Sequence, residues 1–126
     1  MLTVTGQQTI WWLLKLFSAI PLSEGFELIL AADVIRFQAD DNYTDLFLKN
    51  GTKIVACRTL KEMEEQLQDF SFFVRVHHSY IVNLNEVSKY IRGEGGYLVM
   101  SDGSTVTVSK SRKERLLKKF QPVKIL

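Results

Sequence analysis

Turn-forming residues recur along this chain and cut it into short runs, a spacing that points to an antiparallel fold built from hairpins. Asp40-Asp41-Asn42, Asn50-Gly51, Gly93-Glu94-Gly95-Gly96 and Ser101-Asp102-Gly103-Ser104 are the strongest such signals. Glycine and short polar side chains tolerate the left-handed backbone that tight reversals require. Asn50-Gly51 is read as the strongest hairpin signal, because both turn residues tolerate positive φ, and Gly93 to Gly96 as a flexible turn. Between these points lie short β-branched and aromatic runs. They are Phe26-Glu27-Leu28-Ile29, Val34-Ile35-Arg36-Phe37, Tyr43-Thr44-Asp45-Leu46-Phe47-Leu48, residues 53–57, Phe73-Val74-Arg75-Val76, and residues 87–91, 97–100 and 105–108. The pattern predicts seven or eight short strands.

Two helices are marked by capping boxes, in which a hydroxyl and a glutamate three residues on satisfy each other's free backbone N–H groups. Thr59-x-x-Glu62 opens a segment of about two turns, with Leu60, Met63 and Leu67 on one face and Glu62, Glu64 and Glu65 largely on the other. Ser111-x-x-Glu114 predicts a terminal helix with Leu116, Leu117 and Phe120 as its apolar face. Arg112, Lys113, Arg115, Lys118 and Lys119 surround that face.

Residues 1–23 read as an apolar segment or tail and residues 24–126 as the domain. The run IWWLLKLF at residues 10–17 is too short for a bilayer, which takes roughly 20 residues. Its uncharged start is unlike a secretory signal. It reads as a helix packed on its own domain or on a partner, in preference to an interfacial anchor, and ended by Pro21. With 126 residues the chain is one domain's worth. Cys57 is the lone cysteine, so no internal disulfide forms, which fits a cytoplasmic location.

The net charge of +2 conceals a strong asymmetry. Residues 24–74 carry 5 basic and 10 acidic side chains, whereas residues 75–126 carry 10 basic and 4 acidic. A basic second half fits a polyanion, or simply a solvated face.

Enzymatic chemistry finds little support. Adjacent His77 and His78 on a strand point to opposite faces and cannot easily share a metal, and no further histidine or cysteine pair completes a ligand set. Ser79 lacks the setting of an activated nucleophile. There is no phosphate-binding loop or dinucleotide fingerprint, so no cofactor is expected. The polar residues make better sense as a binding surface. Arg75, His77, His78, Ser79 and Asn83 cluster at one strand end, and Ser109, Lys110, Ser111, Arg112 and Lys113 where the last strand meets the last helix. Cations attract phosphates, and Arg, Lys, His and Asn reach base edges. His77 and Ser79 taken singly read as local turn-holding groups. His78, Lys110, Arg112 and Lys113 read as DNA contacts.

Residues 73–83, FVRVHHSYIVN, resemble the signature of the LytTR family of DNA-binding domains. Asp41-Asn42-Tyr43 is similar to that family's Gly-Asn-Tyr turn, and Arg58-Thr59-Leu60 to its entry into a short helix. Asp102-Gly103 followed by Val106, Val108, Ser109 and Lys110 resembles its closing segment. The likeness runs from about Glu24 to Phe120. It implies an elongated, mostly β fold of about ten strands in three small antiparallel sheets, with an internal and a C-terminal helix. It also implies sequence-specific transcription regulation, with loops in the major groove and Asn42, Tyr43, His78 and Lys110 near the bases. His78 stands where Arg or Lys is usual and Lys110 where Arg is usual, and lysine lacks arginine's planar fork.

Such domains are the output halves of bacterial response regulators in two-component systems. Only about 23 residues precede the likeness here, too few for a receiver domain, so a stand-alone regulator and a fragment are both consistent. No upstream histidine kinase or receiver is assignable. A homodimer on paired DNA sites is one expected arrangement. The competing reading is a protein-interaction or membrane-proximal module of the same fold without DNA binding. His78 and the apolar N-terminal run favour it, and the basic second half opposes it.

Overall fold

The hairpin signals close hairpins. The computed structural model describes residues 17–120, with side chains from Ala19 onward. Its strands are β1 (Phe17–Leu22), β2 (Gly25–Leu30), β3 (Val34–Asp40), β4 (Tyr43–Leu48), β5 (Lys53–Ala56), β6 (Phe73–His77), β7 (Tyr80–Asn83), β8 (Val87–Ile91), β9 (Tyr97–Met100) and β10 (Thr105–Thr107). The helices are α1 (Leu60–Gln66) and α2 (Lys113–Lys119). The strands form three antiparallel sheets: β1-β2, β5-β4-β3-β7-β6 and β10-β9-β8.

The β4–β5 and β9–β10 reversals share one geometry. Gly51 N–H donates to Leu48 O at 3.0 Å, and Gly103 N–H to Met100 O at 2.9 Å. The glycines sit at φ 88° and 86°. Asn50 Oδ1 and Asp102 Oδ1 accept from the backbone N–H two residues on. The hairpin expected at Asn50-Gly51 forms, and of its two turn residues only the glycine is left-handed, as in a type I turn closed by a glycine bulge. In the β3–β4 turn Asp41 takes the left-handed role at φ 56°.

The five-stranded sheet is covered on both faces. One core holds Ile20, Ile29, Phe37, Leu46, Leu60, Met63 and Ile81, between this sheet, the β1–β2 hairpin and α1. The other holds Ile35, Val76, Val82, Leu98, Met100, Val106 and Leu116, toward the three-stranded sheet and α2. Ile81 and Val82 are neighbours in sequence yet belong to opposite cores, so β7 reads as an apolar run instead of alternating. A bulge between Val34 and Arg36 lets Val34 and Phe37 share a face.

Three sequence expectations change here. The stretch before Glu24 contributes to the fold: Phe17 belongs to β1, not to a helix, and Pro21 lies within that strand instead of ending a helix. Ile20 is 1% exposed, and Pro21 O accepts from Cys57 N–H at 2.7 Å. The helix expected over residues 10–16 lies outside the described residues. The capping box at Thr59 and Glu62 forms as expected. The one at Ser111 and Glu114 does not, because Ser111 sits inside a 3-10 turn (Lys110–Arg112) and α2 begins only at Lys113. Nor is the glycine turn at residues 93–96 simply flexible. A Cβ on Gly95 would lie 2.0 Å from Val108 O, and Val108 N–H donates to Gly96 O at 3.0 Å. The turn is clamped against the last strand.

Candidate nucleic-acid interface

The β6–β7 turn is built from the inside by Arg75. Its Nε donates to His77 O at 2.8 Å and its Nη2 to His78 O at 2.6 Å. Its Nη1 donates to Glu64 Oε1 on α1 at 2.7 Å. One planar guanidinium thus pins two successive carbonyls and ties them to a helix, a fork a lysine cannot make. Ser79 N–H donates to His77 Nδ1 at 3.1 Å, which makes that nitrogen an acceptor and closes the turn locally. Burial, with the nearby charges of His78, Arg112 and Arg75, holds His77 below its usual protonation range.

The two imidazoles do not point to opposite faces, as the strand argument expected. Their ring centroids are 4.3 Å apart and the planes are tilted by 32°. The strand ends at His77, so His78 belongs to the turn and its ring swings back over its neighbour. His78 stays exposed.

Two backbone hydrogen bonds bring the other expected elements to this turn. Ala39 N–H, near the end of β3, donates to Ser79 O at 2.9 Å. Ser109 N–H, just past β10, donates to Val76 O at 2.8 Å. The β3–β4 turn with Asn42 and Tyr43, the 77–80 turn, and the 3-10 turn opening at Lys110 therefore share one end of the molecule. Asn42, Tyr43, His78 and Lys110 are exposed there. Arg112 and Lys113 are half-buried, and Lys113 Nζ reaches Gly93 O at 3.4 Å.

Asn83 is not part of this end. It pairs with Phe73 in the β6–β7 ladder, away from the histidines. Its Nδ2 donates to Val34 O at 2.9 Å and its Oδ1 accepts from Asn85 N–H at 2.9 Å, all while 1% exposed. It is a buried strut. Sequence reasoning missed Glu64, whose place on an acidic helix face gave no hint of the Arg75 pairing. It also missed Gly95, whose role depends on the approach of a distant strand. Among the described residues no group of three or more His, Cys, Asp or Glu could hold a metal ion.

This three-sheet arrangement, with its loops gathered at one end, matches a solved fold. The LytTr DNA-binding domain of a methyl-accepting/DNA response regulator from Bacillus cereus superposes with a TM-score of 0.69, covering 81% of this chain and 94% of that one at 24% identity. The sequence profile of the LytTr DNA-binding domain matches residues 24–121. The chain belongs to the LytTr DNA-binding domain family. The matching family is one of DNA-binding domains. The chain is 36% identical over 92 residues to the heme-containing CO-sensing transcriptional regulator RcoM 2 of Paraburkholderia xenovorans, covering 71% of this chain and 34% of the relative. It is 34% identical over 98 residues to the CO-responsive transcriptional regulator RcoM of Rhodospirillum rubrum, covering 75% of this chain and 41% of that relative. This LytTr chain thus spans about a third to two fifths of the length of these relatives. No helix among its described residues is long and apolar enough to cross a membrane.

Proposed function

We propose that this domain recognises a specific duplex DNA site, with its three convergent loops in the major groove, and serves as the output module of a transcription regulator. The observation that carries the reading is the pair of hydrogen bonds from Ala39 to Ser79 and from Ser109 to Val76, which support one continuous, loop-built surface. On it, Asn42, His78 and Lys110 read base edges, since amide, imidazole and ammonium groups all bond there. Tyr43, Ser109, Arg112 and Lys113 meet sugar and phosphate, which position the domain without specifying sequence. Arg75, His77 and Ser79 act from behind, holding His78 at the surface. Paired half-sites would engage a homodimer. The exposed Phe26 and Leu28 on β2, at 72% and 68%, offer an apolar face for a second copy.

Selection from random duplex DNA tests the reading. Enrichment of a defined site, followed by at least tenfold preference over scrambled duplex, is the expected result. Failure to enrich any site would favour a protein-interaction module of the same fold.

A further inference from the structure

A cleft of about 280 Å³ opens between α1, β6 and α2. Leu67, Phe70, Phe73 and Ile81 give it an apolar floor. Arg115 and Lys119 of α2 line it with cations, and among the described residues neither forms an ion pair. The cleft also reaches the Arg75–Glu64 pair, so three cations face one carboxylate, and that carboxylate is already taken by Arg75. An apolar floor under unpaired positive charge is complementary to an apolar body bearing an anionic group. The volume lies just below the roughly 300–1,000 Å³ common for small-molecule sites, whereas a helical partner needs a groove long enough for several anchors along its face.

We propose that this cleft binds a small amphiphilic anion, an aromatic or aliphatic carboxylate or sulfonate, and that occupancy weakens DNA recognition through Arg75. The anionic group sits between Arg115 and Lys119 while the apolar body covers Phe70 and Phe73. Arg75 connects this site to the surface. The guanidinium that lines the cleft also holds His77 O and His78 O, at 2.8 and 2.6 Å. An anion held between Arg115 and Lys119 brings a second negative charge into the cleft that Arg75 lines, and that charge competes with Glu64 and with those carbonyls for the guanidinium. The bound state therefore favours an arrangement in which Arg75 leaves the turn and His78 loses its support. A ligand shifts such an equilibrium only by its differential affinity for the two arrangements, and the shared guanidinium supplies that difference.

The test uses anilinonaphthalene sulfonate as the probe. Its fluorescence should rise to a single saturating site, and the melting temperature should rise with it, which excludes binding to a loosened state. The double variant Arg115→Glu/Lys119→Glu should weaken the probe at least about tenfold, while Phe26→Ser/Leu28→Ser, on the opposite hairpin, should leave it unchanged. Equal affinity in the charge-reversed and parent proteins, or loss in the hairpin variant, would overturn the site and leave the cleft free for a protein segment. The coupling rests on the DNA reading proposed above and is measured separately. Saturating probe should weaken the selected duplex about fivefold, within the usual range of allosteric coupling, and this effect should vanish in Arg115→Glu/Lys119→Glu. Probe binding without any change in duplex affinity would overturn the coupling. A protein that binds probe but no DNA would sink the DNA reading and leave the site standing.

Discussion

Arg75 donates to the His78 carbonyl oxygen at 2.6 Å, and in doing so an inward-facing side chain determines where an outward-facing one stands. The Arg75 side chain is only 12% exposed and makes three hydrogen bonds. Replacing it by Ala would strand two turn carbonyls and the Glu64 carboxylate. We expect Arg75→Ala to cost about 2 kcal/mol in urea unfolding, and Arg75→Lys to recover little of it, because an ammonium cannot span all three acceptors. Full rescue by lysine would show that charge, not the fork, matters.

Gly95 and Gly103 should respond very differently to alanine. A Cβ at Gly103 meets nothing within 4 Å, so the cost there is the left-handed backbone alone, about 1 kcal/mol. At Gly95 the Cβ would lie 2.0 Å from Val108 O and 3.2 Å from Lys110 N, and backbone must shift. Gly95→Ala should cost about 2–3 kcal/mol and displace the segment carrying Lys110. Comparable melting temperatures for the two variants would contradict the clamp.

Acid should loosen the 77–80 turn. His77 Nδ1 accepts a hydrogen bond from Ser79 N–H, and burial holds the group below the usual 6.5. The unfolded chain therefore takes up this proton first as pH falls. The stability contribution is complete above about pH 6.5 and is lost as pH drops through the lower folded-state value. The urea midpoint should fall between pH 7.5 and pH 5, and His77→Gln should remove part of that fall. An identical pH profile in the variant would exclude His77 as the source.

Duplex affinity should depend steeply on salt. Residues 75–126 hold 10 basic and 4 acidic side chains, and neutralising five or six phosphates gives a slope of log K against log salt of about −5. A flat response in a salt titration would rule out phosphate-driven binding.

Readout and attraction should separate at His78 and Lys113. His78→Ala should cost roughly 1–3 kcal/mol on the selected site only and relax preference at one or two base pairs. Lys113→Ala should weaken selected and scrambled duplexes by similar factors. His78→Arg should shift the preference, toward guanine, since arginine forks to that base. Competition against a panel of single-base-pair changes measures all three. An unchanged base-pair profile in His78→Ala would assign specificity to Asn42 and Lys110 instead.

Much of this architecture was legible locally. The Asn50-Gly51 and Asp102-Gly103 reversals form because a few adjacent side chains and one glycine satisfy the turn by themselves. The Thr59–Glu62 box forms for the same reason. The equivalent spacing at Ser111 and Glu114 fails because the chain there obeys a distant partner: Ser109 is bonded to Val76, and the backbone tightens into a 3-10 turn before the helix begins.

The sequence by itself determined the hairpin framework, the first helix and the family signature, since each depends on residues within a few positions of one another. Tertiary structure alone decided what those motif residues do. It turned Asn83 away from the histidines into a strut for Val34, and Arg75 inward to Glu64. It laid Gly95 against Val108, and drew the loops of Asn42, His78 and Lys110 to one end. The physical reason is that hydrogen bonds and close packing between strands far apart in sequence depend on sheet order and register, which no short stretch of sequence encodes.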